Sequence, residues 1–113
     1  MAVDPEAAAI LRGDLSALDG ISEKAMFGGL GFMRGGHLLT GVTTGGGLFY
    51  RTGKSREAAA QAHDGVLPFA DASGRRKMGG FVILPPDHRG DGATRAALLD
   101  LALQNAAELP PKE

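Results

Sequence analysis

The chain of 113 residues carries a formal net charge of −1, with 43% hydrophobic and 22% charged residues, a composition typical of one globular domain. Because the charge is close to zero, the composition excludes a strong general attraction to nucleic acid or to an anionic membrane. Zero cysteines exclude disulfides and thiolate metal sites and are typical of a reducing compartment. No apolar run approaches the ~20 residues of a membrane-spanning helix, and the first residues lack the pattern of a signal peptide. We therefore expect a single cytoplasmic domain over residues 1–113.

The first predicted element is an amphipathic helix that begins at Asp4. The Asp4 carboxylate can cap the free amides of the first turn, and Pro5 suits the first helical position. Apolar residues then recur at spacings of three and four, which predicts a helix that continues through Gly13 to Leu18. Gly20 is a suitable left-handed stop after it.

A run of short strands and glycine turns follows the helix. Strand candidates lie at residues 24–27, 31–34, 37–43 and 48–52. Turn signals at such short spacing predict a meander of antiparallel strands. Within residues 26–33, bulky apolar side chains beside three glycines indicate two strands joined by a tight, partly buried bend. We predict a structural role for the signature residues of this segment, which are Met26, Phe27, Gly28, Gly29, Gly31 and Phe32.

The sequence of the second half of the chain predicts two helices and two strands. Ser55 is a suitable N-cap for a short alanine-rich helix over residues 56–63, and a brief strand and a polar loop follow over residues 66–69 and 70–77. The last strand candidate is 80–84, and Asp91 can cap a long apolar helix after it, over residues 93–108. These elements predict the α+β class, in which an antiparallel sheet is flanked by an N-terminal helix, a short middle helix and a long C-terminal helix.

Two glycine-rich segments resemble nucleotide-binding motifs without completing them. Gly29-Leu30-Gly31 could begin a dinucleotide fingerprint, but Arg34 occupies the position of its third glycine, and strands follow instead of a helix. Gly53-Lys54-Ser55 resembles the end of a phosphate-binding P-loop, but Leu48 stands where the leading glycine is required. A turn and a helix start explain both segments, so we expect no nucleotide cofactor.

The sequence contains no recognisable catalytic or metal-binding motif. His37, His63 and His88 lie far apart, and no spacing places two of them on one helix face. The serines lack the context of an activated nucleophile, and no pair of carboxylates is recognisable from spacing. We therefore expect no metal, no cofactor and no enzymatic activity. A catalytic site that is assembled only by folding leaves no signature in one sequence, so that alternative stays open.

The concentrated charge of the chain is Arg75-Arg76-Lys77, in a loop bounded by glycines. Such a run can hold an acidic partner surface, a phosphate or a nucleic-acid backbone, and a solvated loop is the alternative. Arg75, Arg76 and Lys77 are therefore the candidate binding residues for an anion or a partner. Three clustered cations neutralise too few phosphates for tight binding at physiological salt, so we expect no tight DNA binding.

The signature segment also indicates a family. Residues 24–33, with the run Met-Phe-Gly-Gly-Leu-Gly-Phe, resemble the opening signature of the TfoX N-terminal domain family, also called the Sxy or competence-regulator family. The similarity continues through residues 74–82 and to the closing Leu-Pro-Pro-Lys. The resemblance implies an α+β domain with an antiparallel sheet and a role in the regulation of competence genes and DNA uptake. It also implies a protein partner, for example in the transcription machinery, and a short single-domain member of the family.

Together these observations predict a non-enzymatic regulatory or protein-interaction domain. The alternative is a small-molecule or anion-binding domain, with or without catalysis, that uses the loop of residues 75–77. We also expect a homodimer, because a sheet with few strands leaves an edge open to a second copy and the closing helix has a broad apolar face.

Overall fold

The computed structural model describes residues 4–26, 28–70 and 77–109, and the side chains of all of these except residues 70, 77 and 78. Within these ranges six strands form one sheet: β1 (Ile21–Met26), β2 (Gly29–Arg34), β3 (His37–Val42), β4 (Leu48–Arg51), β5 (Leu67–Ala70) and β6 (Lys77–Leu84). The described α-helices are α1 (Pro5–Asp14), α2 (Glu57–Gln61) and α3 (Gly92–Glu108).

The strand order across the sheet is β1-β2-β3-β4-β6-β5, and all neighbouring strands are antiparallel. The first four strands form the expected meander, and β6 then inserts between β4 and β5. At the predicted hairpin turn between β2 and β3, Gly35 and Gly36 both have positive φ angles, of 60° and 84°, which suits a two-residue turn. The structure therefore confirms the predicted α+β class with its antiparallel sheet and three helices.

One face of the sheet packs against the helices and forms the core. From the strands, this helix-covered face contributes buried side chains of β2, β3, β4 and β6, among them Phe32, Val42, Tyr50 and Val82. The helices contribute Ala7, Ala8 and Leu11 from α1, Ala60 from α2 and Leu98 from α3. Full burial of one such aliphatic or aromatic side chain stabilises a fold by roughly 1.5–3 kcal/mol, so this layer fixes the helices on the sheet.

Both long helices begin at the predicted caps. In α1, Oδ1 of Asp4 accepts hydrogen bonds from the amides of Glu6 and Ala7, at 3.0 and 3.1 Å. In α3, Oδ1 of Asp91 accepts from the Thr94 amide at 3.2 Å. These carboxylates satisfy amides that have no partner within their helix.

The end of α1 differs from the prediction, because the helix stops at Asp14 and not at Leu18. After Gly13 the chain tightens into a turn, in which the Ser16 amide and hydroxyl both donate to the Gly13 carbonyl, at 3.3 and 2.8 Å. Serine competes in this way with regular helical bonding. Leu15 is nevertheless buried, so the turn keeps the apolar stripe on the core.

Other element boundaries also differ from the prediction. Ser55 does not cap a helix but lies inside a 3₁₀ turn, Lys54–Arg56, that leads into α2. β1 begins at Ile21, three residues before the predicted start, because Ile21 pairs with Arg34. β6 begins at Lys77, inside the predicted polar loop.

The first part of β6 is separated from the rest by a bulged stretch that contains Gly80, because the register with β5 shifts between the pairs Pro68–Val82 and Ala70–Lys77. The carbonyl of Gly80, which has a φ of 88°, accepts from the amides of both Thr52 and Gly53, at 2.9 and 3.0 Å. Its own amide donates to Oε2 of Glu57 at 2.9 Å. A bulge of this kind lets the ladder continue past a kink, which sequence periodicity does not reveal.

Candidate functional site

The face of the sheet opposite the described helices carries apolar side chains from all six strands. We call it the helix-free face, and its apolar side chains are Met26, Met33, Leu38, Phe49, Leu67, Phe69, Phe81 and Ile83. Among the described residues, none of these side chains belongs to the core to which the helices contribute. Leu67, which is 52% exposed, is the large hydrophobic residue that protrudes most in the described part of the chain.

A row of directly paired residues runs along this face through all six strands. In strand order, the row is Lys24, Gly31, Gly41, Phe49, Ile83 and Leu67. Directly opposed residues in a ladder point to the same face of a sheet, and successive residues along a strand alternate between faces. The row is therefore cationic at the β1 edge, has no side chains in the middle and is apolar toward β5.

Three phenylalanines pack together in the apolar half of the row. The ring centroids of Phe49 and Phe69 are 5.6 Å apart, those of Phe49 and Phe81 6.2 Å, and those of Phe69 and Phe81 6.1 Å with an edge-on angle of 80°. Phe49 is fully buried. Tilted and edge-to-face contacts of this kind stabilise a cluster beyond its burial, so the rings form a fixed apolar floor.

The glycine half of the row is covered by neighbouring side chains. A Cβ on Gly31 would lie 2.5 Å from Sδ of Met26 and 3.0 Å from Cδ1 of Leu38. A Cβ on Gly41 would overlap the ring of Phe49. The two glycines thus let Met26, Leu38 and Phe49 lie flat on the backbone, and the face stays shallow.

The signature segment is placed at the bend between β1 and β2. Gly28 has a φ of 72°, and a Cβ on Gly29 would overlap the carbonyl oxygen of Val42 on β3. Phe32 is buried in the core, and Phe27 lies outside the described residues. This geometry supports a structural role for Gly28 and Gly29, which stays a prediction until variants are measured.

The ionisable side chains on the helix-free face of the described strands are cationic. Lys24 belongs to the row, and Arg51 pairs directly with Phe81, so it points to the same face. The one carboxylate of the described strands is Glu23, which faces the helices and accepts two hydrogen bonds from Arg12, at 2.8 and 2.7 Å. The apolar floor therefore has cations beside it and no described strand carboxylate.

The chemistry of the two edge strands disfavours growth of the sheet by a second copy. In an antiparallel pair related by a two-fold axis, one residue faces its own copy. Near the middle of β1 that residue is Glu23 or Lys24, and like charges directly opposite one another destabilise a sheet. At the other edge Pro68 of β5 has no amide to donate.

The predicted basic site is described only in part. Arg75 and Arg76 lie outside the described residues. Lys77 is the first residue of β6, where it pairs with Ala70, and the position of its side chain is not described. The proposed role of these three residues in anion or partner binding therefore stays a prediction.

A concave surface apart from the helix-free face lies between the β2–β3 hairpin and the end of α3. It is an open groove of about 410 Å³ lined by Arg34, Gly35, His37, Leu103, Ala106, Ala107 and Leu109. Its base is apolar and comes from α3, whereas Arg34 and His37 contribute polar groups. Among the described residues, no group of three or more His, Asp or Glu side chains that could hold a metal ion occurs here or elsewhere.

Sequence reasoning missed the helix-free face, although the sequence contains a signal for it. Residues 48–50 and 81–84 are continuous apolar runs in β4 and β6. Such runs indicate strands that are apolar on both faces, whereas a strand with one solvated face alternates. The runs were sufficient to predict strands, but their second apolar face was not interpreted as a surface.

The fold and this face define a class of protein: a small α+β domain whose antiparallel sheet is covered by helices on one side. The model of the TfoX N-terminal domain family matches residues 14–106, and the chain belongs to that family. The expected family is thereby confirmed. No curated protein and no solved structure matches the chain. No helix in the described ranges is long and apolar enough to cross a membrane.

Proposed function

We propose that this chain is a non-enzymatic regulatory domain that acts by binding another protein through the helix-free face. The observation that carries the proposal is the apolar surface on a six-stranded sheet, which ends in the exposed Leu67. Contiguous apolar surface on a small domain is typical of a site for a protein partner. The absence of a recognisable catalytic motif in the sequence supports binding as the activity.

The proposed regulatory role rests on membership of the TfoX N-terminal domain family and on the resemblance of residues 24–33 to competence (Sxy) regulators. On this proposal the domain acts in the cytoplasm, in the control of DNA uptake, with a partner in the transcription machinery. The absence of cysteine and the net charge of −1 support a reducing compartment and a protein partner in preference to DNA.

The test is affinity capture from native cytoplasm, with quantitative mass spectrometry of bound proteins and bound metabolites. The wild-type chain is compared with Leu67→Glu, which places a charge at the exposed end of the face. Ala9→Glu is the matched control, because it adds the same charge at an exposed position of α1. We expect a protein partner that is lost with Leu67→Glu and retained with Ala9→Glu.

Two results would contradict the proposal. Copurification of a metabolite, with no protein whose capture depends on Leu67, would favour the small-molecule alternative. Tight and salt-sensitive binding of random duplex DNA, abolished by neutralising Arg75, Arg76 and Lys77, would favour direct nucleic-acid binding.

A further inference from the structure

We propose that the helix-free face binds an acidic amphipathic segment of the partner protein. The apolar side chains of that segment would lie on the sheet, and its carboxylates would reach Lys24 and Arg51. This inference rests on the proposed function and names the chemistry of the partner.

The shape of the face suits a short segment laid flat across the strands. The glycine pair Gly31 and Gly41 keeps the middle shallow, and the half-buried Leu38 and Ile83 offer apolar contacts on either side of Phe49. Neighbouring strands are ~4.8 Å apart, so β1 and β4 are separated by roughly 14 Å. A helix rises 1.5 Å per residue, and about ten residues span that distance.

The cations on the helix-free face indicate that a complementary segment carries negative charge. Lys24 on β1 and Arg51 on β4 both lie on the helix-free face, with β2 and β3 between their strands. Because the described strands present no carboxylate on this face, its charges are complementary to Asp and Glu side chains of a partner.

The same observations disfavour other occupants. A second copy bound face to face would bring Lys24 and Arg51 of one copy toward those of the other, and the described strand residues of this face include no carboxylate to pair with them. Single-stranded nucleic acid needs open aromatic rings for stacking, but Phe49 is fully buried and Phe69 and Phe81 meet edge to face. Binding to an anionic membrane needs a larger basic patch than these few cations provide.

The experiment titrates the full chain with two synthetic helical peptides of about ten residues. Both carry leucines on one face, and the other face carries glutamates in the first and lysines in the second. Methyl NMR of the protein reports where each peptide binds. We expect the acidic peptide to shift the methyl signals of Met33, Leu38, Leu67 and Ile83 and to bind more weakly as salt rises. The basic peptide is expected not to shift them.

Reversal of the charges of Lys24 and Arg51 tests whether these two residues attract the acidic peptide. We expect the double variant Lys24→Glu/Arg51→Glu to bind the acidic peptide roughly tenfold more weakly, since two rim charges change from attraction to repulsion. Arg34→Glu is the control, because it reverses an exposed charge at the end of β2 that pairs with Ile21 and lies outside the helix-free face. It should leave the affinity unchanged. Melting temperatures establish that each variant is folded, and the comparison of the two peptides on the wild-type chain needs no variant.

Several outcomes would overturn the inference. Equal binding of both peptides would show that the face does not select an acidic partner. Shifts confined to the groove beside Leu103 would show that the acidic peptide does not bind to the helix-free face. Shifts of the same methyls with protein concentration alone would assign the face to a second copy. Binding of an oligouridylate or of phosphatidylserine vesicles at this face, without binding of the acidic peptide, would assign it to nucleic acid or membrane. If the captured partner is lost with Leu67→Glu but survives the double charge reversal, the proposed function stands and the acidic partner is wrong.

Discussion

Gly31 of β2 lies directly opposite Gly41 of β3, so these two neighbouring positions place no side chain on the helix-free face. The two positions differ in what an added methyl group would meet. At Gly31 it would meet the flexible end of Met26, whereas at Gly41 it would meet the Phe49 ring and the backbone oxygen of Leu30. The pair therefore offers a direct comparison of soft and rigid surroundings.

We predict that Gly41→Ala lowers the free energy of unfolding by about 1–3 kcal/mol, because neither a packed ring nor a backbone oxygen can move aside. Gly31→Ala should cost less, since a methionine side chain adapts easily. Gly45→Ala is the control, because no atom lies within 4 Å of its Cβ position. Urea denaturation midpoints test the order, and equal midpoints for Gly41→Ala and Gly45→Ala would contradict it.

The closing helix is expected to be part of the core and not a removable tail. Leu98 is fully buried on the helix-covered face, while Leu103 lines the open groove. Truncation of a buried leucine to alanine costs ~2–5 kcal/mol, a large part of a typical total of roughly 5–15 kcal/mol. We expect Leu98→Ala to show such a loss in chemical denaturation and Leu103→Ala a clearly smaller one. An unchanged midpoint for Leu98→Ala would show that the helix is peripheral.

A bidentate ion pair joins the start of α3 to the end of α1. Arg95 donates from Nε and Nη2 to the Asp14 carboxylate, at 2.8 and 3.2 Å, and the hydrogen bond raises the pKa of the guanidinium further above its usual range. The side chains of Arg95 and Asp14 are 18% and 24% exposed, whereas those of Arg12 and Glu23 are 54% and 39% exposed. Burial decides how strongly solvent screens each pair.

We therefore expect Arg95→Met to lower the free energy of unfolding by about 1–3 kcal/mol, while Arg12→Met lowers it by less than about 1 kcal/mol. Methionine keeps an apolar stem at both positions, so the comparison isolates the guanidinium contacts. Thermal melts at low and high salt measure both effects. A larger loss for Arg12→Met than for Arg95→Met would refute this ranking.

The buried phenol of Tyr50 is expected to limit the folding stability of the domain at alkaline pH. Its hydroxyl is buried without a hydrogen-bond partner among the described residues, and burial, with the Asp14 carboxylate as a smaller cause, raises the pKa of the phenol well above its usual range. Unfolded tyrosine ionises near pH ~10. Below that value both states are protonated and stability is complete. At higher pH the unfolded state loses the proton first, so stability falls as the pH rises toward the folded pKa.

This prediction has a direct readout, because Tyr50 is the one tyrosine of a chain without tryptophan. We expect tyrosinate absorbance to appear only together with the loss of circular dichroism on alkaline titration. Tyr50→Phe should weaken the alkaline fall in stability, and at neutral pH it should cost little because the hydroxyl has no partner there. Tyrosinate absorbance from a fully folded chain near pH ~10 would mean that the phenol is accessible.

The homodimer expected from the sequence stays a prediction, and light scattering at micromolar concentration tests it. The charges of Glu23 and Lys24 disfavour a two-fold pairing of β1 edges, so we expect any dimer to use another surface. Glu23→Ser should therefore leave the molecular mass unchanged. A monomer at that concentration would contradict the dimer itself, and a dimer strengthened by Glu23→Ser would restore the β1 edge as its interface.

Local chemistry determined much of this fold in advance. The caps Asp4 and Asp91, the Gly35-Gly36 turn and the period of the strands each depend on residues a few positions apart, and all could be predicted. Boundaries were predicted less well, because the start of β1 depends on pairing with Arg34 and the first part of β6 pairs with β5 beyond a bulged stretch, where distant segments meet.

The candidate surface was decided by tertiary structure. Leu67 joins the row of Lys24 and Gly41 only because β6 inserts between β4 and β5 and pairs with both strands. Sequence alone located the charge of Arg75, Arg76 and Lys77, since a basic run is visible without folding. Which face of a doubly apolar strand the helices cover depends instead on contacts between residues far apart in the chain, such as those of Leu98 with the sheet.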